Sequence, residues 1–160
     1  MINLTVICIG KLKEQYLRDA CDEFNKRISA FSKLKLIELS PDRLSDNPSQ
    51  KEIEAALKNE GRAIIEKIPQ GAYVYTMCIE GKQFSSQEFS RQLDEIAVSG
   101  KSQAVFVIGG SFGLSDEVKE KSNAKLSMSK MTFPHQLARV MLLEQLYRAS
   151  QISIGSKYHK

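Results

Sequence analysis

"VFVIGGSFGLS", residues 105–115, decides how the rest of the chain is read. An apolar run, Ala104 to Ile108, enters Gly109–Gly110. Ser111, Phe112 and Gly113 follow, and Ser115 stands where a helix N-cap would. A strand that ends on two glycines leaves room for a ligand, for another stretch of backbone, or for a tight turn.

The same grammar repeats on either side. Residues 2–9 read as a first strand, and 13–30 as a helix with Tyr16, Leu17, Ala20, Phe24 and Ile28 at helical spacing. Residues 33–39 alternate charged and apolar side chains, as a half-buried strand does, and 40–49 form a turn-rich loop with two prolines. Ser49 with Glu52 makes a capping box that opens a helix to about residue 65. Residues 72–79 read as the third strand, with Glu80–Gly81–Lys82 as a turn. Ser85 with Glu88 repeats the capping box and opens a helix to about residue 98. The fourth strand is 104–108, Ser115 caps a short helix, and 124–129 read as a fifth strand. Pro134 then suits the start of a last helix reaching about residue 152. Strand–helix alternation over the whole length predicts one α/β domain, residues 1–160, with a mostly parallel sheet and helices on both faces. Ligands of such sheets bind at the carboxyl ends of the strands.

Composition narrows the function classes. The 160 residues carry a net charge of +4. From residue 119 onward there are eight Lys or Arg against Glu120 and Glu144, so the basic excess belongs to the last quarter of the chain. On charge alone an RNA partner and a merely solvated basic face are equally open. No apolar run approaches the roughly 20 residues of a membrane span, and residues 2–9 lack the basic flank of a signal peptide. A cytoplasmic protein is the expectation. Cys8, Cys21 and Cys78 are odd in number and set among apolar residues, as small buried hydrophobes are. With two histidines, His135 and His159, and no paired ligand spacing, no metal is expected.

The glycine segment is neither a dinucleotide fingerprint nor a phosphate-binding P-loop. It follows the fourth strand, and no Lys-Ser or Lys-Thr pair sits at the required offset. A second segment, "LSMSKMTFPHQLARVMLLEQLYRA" (126–149), begins with Ser127, Ser129 and Thr132 set among Met128, Lys130, Met131 and Phe133. Apolar walls with a few placed polar groups are how small-molecule pockets are built, although an ordinary strand-to-helix connection could read the same way. In the last helix, Leu137, Val140, Met141, Leu142, Leu143, Leu146 and Tyr147 spread around much of the circumference. That breadth favours a second subunit against this helix over a monomer with a central helix.

"FVIGGSFGL", the segment 126–149, the opening "ICIGKLKEQYL" and the terminal "YHK" together resemble the RlmH family. These are small SPOUT-class methyltransferases of pseudouridine in large-subunit ribosomal RNA, and the likeness runs over essentially the whole chain. The resemblance implies a C-terminal trefoil knot, a rarity among folds, a homodimer, and S-adenosylmethionine held in the knot. It implies that Met77, Gly109, Met128, Ser129, Lys130, Met131, Thr132 and Phe133 bind this cofactor. Members often carry leucine where this chain has Met77, an apolar exchange of similar volume. The implied reaction is methylation at N3 of a pseudouridine in helix 69 of 23S rRNA, on assembled ribosomes. Arg139 is the candidate cation near the reacting base, and Tyr158 and His159 are candidates to stack on it and to move its proton. His135 could orient the cofactor segment or touch RNA. Two rivals come from other classes: an RNA-binding protein without catalysis, and an enzyme with a nucleotide or flavin cofactor. A SPOUT enzyme with a different RNA target is the milder alternative.

Overall fold

The computed structural model describes residues 2–160. In chain order the elements are β1 (Asn3–Ile9), α1 (Gln15–Ile28), β2 (Leu34–Leu39), α2 (Gln50–Lys67) and β3 (Tyr73–Lys82). They continue with α3 (Ser86–Val98), β4 (Gln103–Ile108), α4 (Asp116–Lys121), β5 (Ala124–Leu126) and α5 (His135–Ser153). The five strands form one sheet in the order β2-β1-β4-β3-β5, and every pairing is parallel.

Period-two alternation divides the apolar residues between two cores. In β1, Leu4, Val6 and Cys8 face one side, and Ile7 and Ile9 the other. In β4, Phe106 and Ile108 oppose Val105 and Val107. Helices α1, α3 and α5 cover the first side through Ile28, Phe89, Leu93, Leu142 and Leu143. Helices α2 and α4 cover the second through Ile64 and Val118. Each fully buried leucine or valine contributes roughly 1.5–3 kcal/mol. Consecutive connections thus leave the sheet on opposite faces. β1 leads to α1 on one side and its neighbour β4 leads to α4 on the other, which opens crevices at the carboxyl ends of the strands.

Both capping boxes are formed. The Ser49 hydroxyl accepts from the Glu52 N–H at 3.2 Å, and the Ser85 hydroxyl accepts from the Glu88 N–H at 3.1 Å. Such caps contribute about 1 kcal/mol each. The Ser115 hydroxyl caps α4 singly, accepting from the Val118 N–H at 3.3 Å.

Two expectations need correction. Glu80–Gly81–Lys82 is not a turn: β3 runs through it to Lys82. It continues because β5 lies alongside, with Leu126 opposite Met77 and, after a register shift, opposite Lys82. Gly81 permits that approach, since a Cβ there would lie 2.7 Å from the backbone carbonyl carbons of Lys125 and Leu126. The fifth strand is also shorter than its reading of 124–129 and stops at Leu126. Beyond it the Ser127 N–H still donates to the Lys82 carbonyl (2.9 Å), and then local bonds take over: the Ser127 hydroxyl donates to the Ser129 carbonyl (2.9 Å) and the Met131 N–H to the Ser129 hydroxyl (3.0 Å).

Helix α5 buries Leu142, Leu143, Leu146 and Ala149, leaves Val140, Met141 and Tyr147 half-buried, and exposes Leu137. Among the described residues no helix is long and apolar enough to cross a membrane, and no cluster of His, Cys, Asp or Glu is arranged to hold a metal. Cys8, Cys21 and Cys78 are free thiols, and burial pushes Cys8 up to about 11.

Candidate active site

A cavity of about 660 Å³ opens where β3, β4 and β5 end. Met77 and Glu80 of β3 form one wall, the turn Gly109–Leu114 a second, and the segment Ser127–His135 a third. The turn is compact. Gly113 adopts φ +80° and donates its N–H to the Gly110 carbonyl at 3.0 Å. A Cβ on Gly109 would fall 2.4 Å from the Gly113 carbonyl oxygen, so the space beside Gly109 is filled by the chain's own backbone. Gly109 therefore serves backbone packing and Gly113 the turn, and the cavity gains a wall of main chain as a result.

Of the residues singled out from sequence, Met77, Gly109, Met128, Ser129, Met131, Thr132 and Phe133 all line this cavity. Lys130 does not; its side chain is exposed outside the wall. Glu80 and Lys119, an ion pair at 2.6 Å, also line the cavity and escaped the sequence reading. In sequence Glu80 reads as part of a turn, and Lys119 as one basic residue among many. Their mutual hydrogen bond holds the Glu80 carboxyl below, and the Lys119 ammonium above, its ordinary range. Ser127, a polar residue of the segment singled out from sequence, is buried in the same wall.

Arg139 stands elsewhere than the sequence reading implied. Its side chain is 4% exposed and lies beneath the surface, where Nη1 donates to Glu38 Oε2 at 2.6 Å and Nη2 donates to the Gly10 carbonyl at 3.0 Å. The guanidinium thus ties α5 to the ends of β1 and β2, with its charge answered by Glu38. His135 begins α5 on the cavity wall. Burial, then the charges of Arg139 and Lys13, hold its imidazole below the ordinary histidine range, so it is neutral at pH 7.

Tyr158 and His159 do not reach the cavity. The Tyr158 hydroxyl donates to Glu144 Oε1 at 3.1 Å, its ring packs edge-on to Tyr147, and the Arg148 guanidinium lies over it at 4.8 Å. The two His159 ring nitrogens lie 2.7 Å from Gln87 Nε2 and 3.3 Å from Arg148 Nη1. The tail is folded against α3 and α5 of its own chain.

A family model described as "Predicted SPOUT methyltransferase" matches residues 2–159. The chain belongs to the SPOUT methyltransferase family. It is 51% identical over 159 residues to "Ribosomal RNA large subunit methyltransferase H" of Clostridium acetobutylicum, covering 99% of this chain and 100% of that protein. Identity to the protein of the same name from Bacillus thuringiensis is 50% over the same span. Among solved structures, "a probable methylase family protein" from Haemophilus influenzae superposes with a TM-score of 0.58 at 14% identity, over 99% of this chain and 71% of the other. That likeness speaks to the SPOUT fold alone. For a SPOUT methyltransferase the main cavity is where a methyl donor is to be sought.

Proposed function

We propose that the chain transfers a methyl group from S-adenosylmethionine to N3 of a pseudouridine in helix 69 of 23S rRNA, on assembled ribosomes in the cytoplasm. The main cavity carries the proposal: a space of about 660 Å³ at the strand ends of a SPOUT chain, within the size range of small-molecule sites. The names of the relatives with about half their residues identical support ribosomal RNA as the acceptor.

The residues present fit such a donor. Met77, Met128 and Phe133 offer apolar walls to a purine. The main chain of Gly109–Gly113 and Ser127–Thr132 offers N–H and C=O groups at close range, and Glu80 stands at the rim to accept from ribose hydroxyls. Local hydrogen bonds preset the shape of 127–131, so little ordering is left for binding. When bound, the donor supplies a methyl group on a sulfonium; transfer breaks the S–C bond, forms an N–C bond and releases the proton of N3. The chain's contribution is to align acceptor with donor and exclude water, and orientation alone can supply about 7–11 kcal/mol of the barrier. Neutral His135, on the cavity wall, is placed to accept that proton.

The proposal includes the trefoil knot, supported by the way turn 109–114 and segment 127–134 enclose one cavity. It includes a single domain acting as a homodimer. A second groove of about 420 Å³, lined by Phe24, Phe84, Val140, Met141 and Gln145, leaves an apolar face of α5 for the second copy. In that dimer the terminal Tyr158 and His159 of one copy would serve the acceptor held by the other. Arg139 acts here by position rather than by touching the base.

Calorimetric titration with S-adenosylmethionine, followed by transfer of labelled methyl to ribosomes and to naked rRNA, tests the proposal. Saturable binding and label on a ribosomal pseudouridine are expected. No binding at saturating donor would overturn it and leave the RNA-binding alternative.

A further inference from the structure

A third groove, of about 370 Å³, lies beside the main cavity and shares Gly110, Ser111 and His135 with it. It sits at the carboxyl ends of β1, β2 and β4, where the connections after β1 and β4 leave the sheet on opposite faces. Its remaining walls include Gly10, Lys11, Lys13, Glu38 and Gln136. We propose that this groove is the acceptor-nucleotide site, in which Lys11 and Lys13 receive RNA phosphates while Ser111 and Gln136 meet the edge of the base that borders the main cavity. The assignment rests on the methyltransferase reading of that cavity.

Group transfer requires the reacting atoms to come within about 3–3.5 Å, so the acceptor must occupy space that opens onto the donor. Among the described residues two further grooves share walls with the main cavity, and charge separates them. The apolar groove along α5 has no basic residue in its lining, and its one acid, Glu144, is paired with Arg148, so it offers phosphate no positive field. The third groove carries two lysines, both exposed, and its one acid, Glu38, is already neutralised by Arg139. Its field is therefore positive.

The groove is also held open by its own frame. The Gly10 N–H donates to the Leu39 carbonyl at 2.7 Å, and the Lys13 N–H donates to Gln136 Oε1 at 3.0 Å. Arg139 holds the Gly10 carbonyl, and Arg18 Nη1 donates to the Leu12 and Lys13 carbonyls, each at 2.9 Å. The loop that presents the two lysines is thus fastened at both ends and in the middle. With Oε1 engaged, the amide of Gln136 is oriented and its Nε2 is left to donate to a base carbonyl such as those of a uracil ring. Uniform phosphate contacts give affinity and oriented base contacts give selection, and this groove offers both.

The test uses the full chain in two ways. Lys11→Ala/Lys13→Ala, checked by thermal melting, is expected to bind S-adenosylmethionine as the unaltered chain does. Its KM for ribosomes should rise about tenfold, and the slope of log affinity against log salt should become shallower by about two. In parallel, a stem-loop RNA carrying 4-thiouridine is crosslinked to the unaltered chain and the attachment points are mapped. Crosslinks within 10–13, 38–41, 111 or 135–136 are expected. An unchanged KM and salt slope in the folded variant, or crosslinks confined to other surfaces, would overturn the assignment. Failure of the unaltered chain to bind S-adenosylmethionine would instead strike the proposed function, and the crosslink map, which needs no turnover, would still judge the groove.

Discussion

Glu38→Ala is expected to destabilise the protein more than Arg139→Met, although the arginine is the larger and more deeply buried of the pair. The Arg139 side chain is 4% exposed and that of Glu38 37%. Removing the glutamate strands a guanidinium in the interior with Nη2 still on the Gly10 carbonyl and Nε without a partner. Breaking a buried pair from one side costs about 3–5 kcal/mol. Solvent reaching through the vacated glutamate position screens part of that, which lowers the figure to about 2–3 kcal/mol. Arg139→Met removes the charge together with its desolvation penalty, keeps apolar volume in the core, and leaves a carboxylate that water already touches. What is lost is chiefly the hydrogen bond to Gly10, about 1 kcal/mol. At about 2–4 °C per kcal/mol for a chain of this size, Glu38→Ala should melt about 4–12 °C below the unaltered protein and Arg139→Met about 2–4 °C below it. Urea titration with thermal melting reads both, and Glu38→Gln, which keeps an acceptor, should fall between them. If Arg139→Met proved the less stable, the premise that desolvation dominates this pair would be wrong.

Gly109→Ala would set a methyl 2.4 Å from the Gly113 carbonyl oxygen, so the turn must open. A loss of about 1–3 kcal/mol, and of S-adenosylmethionine binding measured by calorimetry, should accompany it. His135 is held below its ordinary value of 6.5 by burial, then by Arg139 and Lys13. The unfolded chain therefore binds more protons between that lowered value and 6.5, and stability should fall as pH drops through this window. In His135→Gln the slope should vanish there, and NMR titration of the ring should show its pKa rising in Arg139→Met. Deleting residues 156–160 removes the Tyr158–Glu144 bond and the Arg148 contacts. Methyl transfer should be lost while S-adenosylmethionine affinity stays within about twofold, and unchanged transfer would remove the tail from the mechanism.

Period and capping made most of the fold legible. The alternation in β1 and β4, and the serine–glutamate pairs before α2 and α3, are local signals, and each lies where it was read. Glu80–Gly81–Lys82 was not legible, because its extension depends on a strand more than forty positions later, Lys82 meeting Leu126. A glycine that makes room for another backbone looks in sequence like a glycine that makes a turn. The cavity wall was readable because methionines and serines interleave along one segment. The burial of Arg139 was not, since its partner Glu38 sits on β2, 101 residues away, in a pattern that reads equally well as surface. Lys130 shows the reverse limit, for a position inside the segment that walls the cavity can still be exposed and absent from the lining.

The placement of β1 between β2 and β4 has a consequence for how this chain is made. Asn3 pairs with Gln103, so the centre of the sheet joins ends of a long loop, and such contact orders fold slowly. While the first hundred residues are being synthesised, β1 has only β2 beside it, and the backbone edge that β4 will pair is open to wrong partners. The wall of the main cavity from 127 to 138 and the helix that locks Gly10 are made later still. An incomplete nascent chain therefore has strands to misassemble but no pocket to fill. Demand for chaperones should concentrate before the fourth strand emerges, and capacity for the methyl donor should arrive only with the final helix.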